Sequence, residues 1–373
     1  MADAGGPCGP PSRCPDASAL DAGELDAGCE DEVTCAELAV WIARVGDGEA
    51  AISAQRAAPV FIEHRRLDGS LVQTLALPTS TSGTRQPLTL KGTDGVDGAG
   101  VLEGALARST DRGVVTLGGF GARVGEQVVD TAAGEVPRVV AQIDAEGAID
   151  TSTRLTAAFS GGESGGVRAA VKTGDRDAVW VSGTGDGGTG GIHTMPLGSS
   201  GASTQLVSEP NNVRWLHIAG GQLYGSAAGR LFTVGDGLPR SGSPAAEDIP
   251  GIEVTSPSGF AVLDRRVAVA GPDTIYVAEV DGIRRFEIEG GEWTLTATFD
   301  GDAGIGARGL AVAELDASVV IFAVTSEADP DTGAPAPRVI AYIDDRSTDS
   351  PEPLEIAPHT PLTLYRGIAL APR

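Results

Sequence analysis

The chain of 373 residues is long enough for one large domain or two ordinary ones, and its 41% hydrophobic composition can bury a sizeable core. A formal charge of −24 excludes the basic footprint that nucleic-acid binding requires and works against docking on anionic lipid. No stretch reaches the roughly 18 consecutive apolar residues that a membrane-spanning helix needs.

In chain order, the first element is a polar tail over residues 1–37. Its opening, Met1-Ala2-Asp3-Ala4-Gly5, reads as a start placed after a removed signal segment. The tail is rich in Pro, Gly, Asp and Ala, and such a composition cannot bury enough apolar surface to offset its ordering entropy. It also holds all four cysteines, Cys8, Cys14, Cys29 and Cys35, in two pairs of identical spacing. Two local disulfides in an oxidising compartment fit that pattern. Zinc fits it less well, because the spacing is long and no histidine accompanies it, and free thiols are the plain alternative. The tail resembles the acidic spacer that follows the anchor of bacterial surface lipoproteins. Export to the periplasm, cell surface or medium is therefore expected.

From residue 38 to 373 the sequence reads as one all-β domain, with short β-branched or aromatic runs punctuated by Gly, Asp, Pro and Thr. One four-residue pattern recurs: apolar, variable, apolar or Gly, then small. It occurs as Val40-Trp41-Ile42-Ala43, Val115-Thr116-Leu117-Gly118 and Val179-Trp180-Val181-Ser182. It returns as Leu223-Tyr224-Gly225-Ser226, Ile275-Tyr276-Val277-Ala278 and Val320-Ile321-Phe322-Ala323. Spacings of 44 to 75 residues suit one four-stranded sheet per repeat, which is a β-propeller blade. A small residue at a fixed strand position fits a place where neighbouring blades approach closely.

Asp273 to Phe286 reads as two strands joined through Asp281-Gly282. The last strand, Arg366 to Leu370, has no partners after it, while residues 38–45, 59–65 and 70–77 are three strands lacking an innermost one. Joining the two sets gives six complete blades and leaves no open sheet edge. Seven blades is the competing count.

The strings "YVA" and "DGIRRF", with "RGLAV" and "RGIAL", resemble the NHL and lactonase-like propellers. "RVGDG", "LVQTLALPT" and "AIDTSTRL" resemble an uncharacterised exported bacterial β-propeller family. The resemblance implies the fold and no particular reaction, because propellers host unrelated functions.

If the strands of each blade are lettered A to D from the axis outward, the D-to-A and B-to-C connections share one face. The long connections 46–58, 78–103, 121–136, 156–166 and 325–336 gather there, and long loops on a rigid scaffold are where binding sites form. Aligning the A strands places Gly104, Arg168, Arg214, Ser258, Arg308 and Arg366 at one equivalent position. Four guanidinium groups about 10 Å apart would repel by roughly 1.7 kcal/mol per pair at an effective dielectric near 20. Either a bound anion or nearby carboxylates must compensate them. Glu163, Glu209 and Asp302 stand just before Arg168, Arg214 and Arg308, whereas Arg366 has no upstream carboxylate. Arg366 is therefore the leading candidate for a ligand contact, with Arg168, Arg214 and Arg308 behind it.

Other motifs carry less. Gly162-Glu-Ser164-Gly-Gly166 matches G-x-S-x-G but lies in a Gly-rich loop without the strand-to-helix turn of a nucleophile elbow. His64, His193, His217 and His359 are scattered. Asp94 and Asp97 could hold calcium weakly, although EF-hand spacing is absent, so no cofactor other than calcium is expected. The basic residues are nearly all arginine, with Lys91 and Lys172 the only lysines, as in GC-rich coding sequences. Two function classes follow: a displayed binding module for a small anion or a protein partner at the channel face, or a lactonase-like hydrolase at the same face. No catalytic residue is assigned.

Overall fold

The structure is a computed structural model that describes residues 38–373 except 94, 96–98, 163–164, 175–177, 301–304, 316–317 and 349–350. The cysteine-bearing tail, with its expected disulfides, lies outside the described residues. So do Glu163, Ser164, Asp302, Asp94 and Asp97.

Five four-stranded antiparallel sheets and one sheet of four antiparallel strands extended by a short parallel fifth, Ser200–Gly201, form a six-bladed β-propeller. Blade 1 is made from both ends of the domain, in the order Leu364–Leu370, Ala39–Val45, Val60–Arg66 and Leu71–Ala76. The next four blades begin with the inner strands Leu106–Arg108, Gly166–Lys172, Trp215–Ala219 and Phe260–Leu263, and blade 6 begins with Ala307–Glu314. The seam is the one expected from the strand count. Val40, Trp41 and Ile42 pair with Leu370, Ala369 and Ile368, and Val45 pairs with Leu364. Glu63 fastens it further, accepting from Arg44 Nε at 2.7 Å and from the Tyr365 hydroxyl at 3.3 Å.

Every copy of the four-residue pattern falls on a B strand, and these strands are buried on both faces. The reason is that the hydrophobic core lies between blades rather than within one. Trp41, Val60 and Leu117 share one cluster across blades 1 and 2, and Tyr276, Ile321 and Tyr342 share another across blades 5 and 6. The small residue that ends the pattern sits at the tightest approach. A Cβ on Gly118 would lie 2.1 Å from Val167 of the next blade, and Ser226 Oγ donates to Ser258 O of the next blade at 2.8 Å. In blade 5 the hairpin turn falls one residue earlier than the sequence suggests. Glu279 pairs directly with Gly282, so Val280 and Asp281 form the turn.

Blades 5 and 6 are also joined by a buried ion pair between Arg285 and Asp344, at 2.7 Å. The Tyr276 hydroxyl donates to the same carboxylate, and burial beside it pushes the phenol pKa upward. Among the described residues no helix is long and apolar enough to cross a membrane.

Candidate functional site

The aligned arginines do converge at one end of the central channel, and a backbone device aims them there. The A–B pairing of blade 3 skips from Val167 to Ala169, leaving Arg168 as the extra residue of a bulge. The same shift isolates Arg308 in blade 6 and falls across Arg366 and Gly367 in blade 1. A bulge turns a side chain out of the alternation that the strand would otherwise impose. All three arginines are buried, Arg168 to 1% exposure and Arg366 to 6%.

Burial lowers the pKa of Arg366 to about 10; the charge of Glu103 opposes the shift, and Arg168 and Arg308 add to it. Burial also lowers Arg168, with Glu103 opposing and Arg214 adding. Arg214 is lowered by burial and by Arg308, against the pull of Glu279. Its NH1 donates to Ser256 Oγ at 2.8 Å and to Pro257 O at 3.2 Å.

Glu103 is the buried carboxylate of this end that sequence reading missed. It is 2% exposed and lies 3.6 Å from the Nζ of Lys91, which is equally buried. Both residues belong to the 78–103 connection, which folds inward over the arginines. Its Leu90–Lys91 segment pairs with Ala57–Ala58, and Thr89 pairs with Phe120, so three long connections zip into one cap. The Thr89 hydroxyl fixes the cap by donating to Phe120 O and Ala122 O. The short 3₁₀ turn Ala99–Leu102 then brings Val101, Leu102 and Glu103 against Trp215, Ser258, Arg308 and Arg366. Gly104 stands in the arginine series because it must: its φ is +86°, and a Cβ there would meet Arg366 Cβ at 3.0 Å. What remains of the channel at this end is a void of about 10 Å³, about the space of one water molecule.

The opposite end is open. A cavity of about 590 Å³ runs up the axis from the face that carries the A-to-B turns. Its lining mixes polar and apolar groups, with Ala107, Ile218 and Val312 among the partly exposed apolar side chains and Arg108, Ser109, Thr110 and Thr173 among the polar ones. Its titratable lining residues are Arg108, Arg112, Lys172, His217 and Glu314. His217 faces the channel, packs its ring on Phe260 at 5.8 Å, and has its pKa lowered to about 4 by burial, against a hydrogen bond with the Val262 backbone. The imidazole is therefore neutral at pH 7.

The remaining motifs do not assemble. His64, His193 and His217 lie in blades 1, 3 and 4, and His359 lies in the connection from blade 6 to blade 1. His193 is held by Ser203 Oγ and by the Thr189 and Gly190 carbonyls. Among the described residues no group of three or more His, Cys, Asp or Glu side chains is placed to hold a metal ion.

No protein-family model matches this sequence, nor does any curated protein. Among solved structures, the chain is similar to one from the crystal structure of a nidogen/laminin complex, with TM-score 0.47 and 12% identity over 90% of this chain and 98% of that one. It is similar to a putative 6-phosphogluconolactonase from Bacteroides fragilis, with TM-score 0.40 and 9% identity over 87% and 98% of the two chains. The hemagglutinin-neuraminidase ectodomain of parainfluenza virus 5 gives TM-score 0.45 and 10% identity, over 79% and 76%.

Proposed function

We propose that this chain is a binding module, displayed outside the cell by its N-terminal tail, which takes a small ligand into the open end of its channel. The observation that carries the reading is the axial cavity of about 590 Å³, lined by polar and apolar side chains from all six inner strands. A pocket of this size and character suits a small organic molecule. The arginine end serves the scaffold in this reading. Arg366 and Arg168 lie within reach of the charge of Glu103, and with Arg214 and Arg308 they fill the channel behind the ligand. Their positive potential would also favour an anion on the axis.

The test is a ligand screen by thermal shift on the wild type and on Ala311→Phe, which fills the channel from a wall position. A bound ligand at a hundred times its Kd adds about 2.7 kcal/mol of stability, a clear rise in melting temperature. Shifts in the wild type that vanish in A311F, with Ala261→Phe as a second blocked variant, support the reading. Shifts that survive both substitutions overturn it. Turnover of lactones by the wild type would replace it with a lactonase-like hydrolase at the channel face.

A further inference from the structure

The open mouth is electrically lopsided, and the asymmetry points to a class of ligand. Three of its cations come from adjacent blades: Arg108 and Arg112 from the first turn of blade 2, and Lys172 from the end of the inner strand of blade 3. Burial, then Arg112 and then Arg373 lower the pKa of Arg108 to about 10, which records how closely these guanidinium groups are gathered. Among the described residues, two carboxylates act on these cations, Asp111 on Lys172 and Glu314 on Arg112, and both have further partners. Asp111 accepts from Ser109 Oγ at 2.5 Å and from Gly113 N at 3.3 Å, and it packs so tightly on the blade 3 turn that a Cβ on Gly174 would lie 2.1 Å from its Cγ. Its pKa is lowered chiefly by the Ser109 hydrogen bond, with a smaller contribution from Lys172. Glu314 lies in blade 6, 4.0 Å from Arg265.

The cationic side is also held in place. Arg108 donates to Ala371 O at 3.2 Å, and Arg373 N donates to Arg112 O at 2.9 Å, so the last residues of the domain brace the blade 2 turn. Arg112 itself sits at φ +67°, a left-handed conformation that costs a non-glycine residue energy. Such a cost persists where the surroundings impose it, and it is commonest at ligand clamps and switches. Inside the mouth, the partly exposed apolar side chains of Ala107, Ile218 and Val312 line the channel.

We propose that the open channel binds an amphipathic carboxylate, with its apolar body along the axis and its carboxylate against Arg108, Arg112 and Lys172. The proposal rests on the binding-module reading above and adds the ligand class to it. An apolar body gains from leaving water in proportion to its area, and a carboxylate at the rim keeps partial hydration while gaining charge-assisted hydrogen bonds. An arginine fork suits a planar carboxylate, and the lysine adds a point charge.

The experiment is calorimetric titration of the whole chain with octanoate, octanol and octyltrimethylammonium, repeated on Lys172→Met and Arg112→Ser. The expected order is octanoate well ahead of octanol, with the cationic amphiphile weakest. Each substitution should weaken octanoate by about tenfold and leave octanol within a factor of two. Raised salt should weaken octanoate selectively. Arg108→Gln is the third variant, and its melting temperature shows whether loss of the Ala371 contact affects the fold; K172M and R112S keep the test decisive if it does. Equal binding of octanoate and octanol, unchanged in all variants but lost in A311F, would overturn the ligand class and leave the channel-binding reading standing. Binding of all three amphiphiles that A311F does not alter would overturn both.

Discussion

The only two lysines of the chain mark the two ends of the channel. Lys91 lies at the closed end, 2% exposed beside Glu103, under a cap made of three long connections. Lys172 lies at the open end, on the rim of a cavity of about 590 Å³. The two ends have similar inventories, several arginines with a lysine and few described carboxylates, yet their energetics differ because water reaches only one of them. At the closed end a charge is desolvated and depends on its neighbours, so an ion pair there is costly to break. At the open end Arg112 is exposed and water screens its charge, so it contributes little to stability and stays available for a ligand, while Arg108 and Lys172 are more buried. The lesson is that an arginine-rich channel mouth read from sequence is not yet a binding site. Whether it binds or merely holds depends on which face the loops cover.

The largest effect should come from breaking both ends together. The last strand supplies Arg366 to the closed end and Leu370 to the open one, and it pairs with the first strand through Val40, Trp41 and Ile42. Removing residues 366–373 deletes Ile368 and Leu370 from the packing and opens the ring. The expected loss is roughly 5 kcal/mol or more, comparable with the whole stability of an ordinary domain. Urea melts of the truncated chain should show a collapse of the whole transition, and a melt that keeps its midpoint would refute closure at this seam.

The comparison is sharpest when the same substitution is made at each end. Glu103→Ala removes a buried carboxylate from beside Lys91, and the expected cost is about 3–5 kcal/mol. Glu314→Ala removes a carboxylate whose side chain is 47% exposed, and the expected cost is below about 1 kcal/mol. Parallel denaturation of the two variants measures the difference, and equal losses would mean that the closed end is as wet as the open one.

His217 tests the channel between the ends. Its folded pKa of about 4 lies below its ordinary value of 6.5, so across that interval the unfolded chain binds more protons than the folded one. Its contribution is therefore whole above pH 6.5 and is lost as pH falls toward 4. The amount is at most about 3 kcal/mol, and less to the extent that channel water solvates the ring. His217→Phe should flatten the acid limb of the stability profile in this window. An unchanged slope would show that the imidazole is as well solvated in the channel as in the unfolded chain.

The smallest effect concerns Arg112. Arg112→Gly should raise stability by about 0.5–1 kcal/mol, because glycine adopts the left-handed turn freely. A chemical melt that fell instead would show that the guanidinium stabilises the rim and is not held there at a cost.

Much of the scaffold was legible in the sequence. Strands buried on both faces with a small residue at the blade contact repeat six times, and the unmatched strands at the two ends of the domain leave one way to complete the ring. The arginine alignment was legible too, since Arg308-Gly309 and Arg366-Gly367 repeat the same step into an A strand. The bulges were not legible, because an extra residue in one strand shows only against the register of its partner. Glu103 and Lys91 were not legible either. They lie in a long connection with no periodicity, and nothing local says that it folds inward rather than out into solvent.

The sequence by itself therefore determined the class of structure and pointed to six blades over seven, to the seam and to an aligned arginine position, since each follows from short-range patterns repeated along the chain. The tertiary structure alone decided which end of the channel is closed. That choice depends on loops of two neighbouring blades pairing with one another, through contacts such as Thr89 with Phe120 and Ala57 with Lys91, between residues more than thirty positions apart. It buried Arg168 and Arg366 near the charge of Glu103 and left Arg108, Arg112 and Lys172, which read as ordinary turn and strand-end residues, at the open mouth. Burial is a property of the assembled ring, and burial is what separates a charge that holds the fold from one that can meet a ligand.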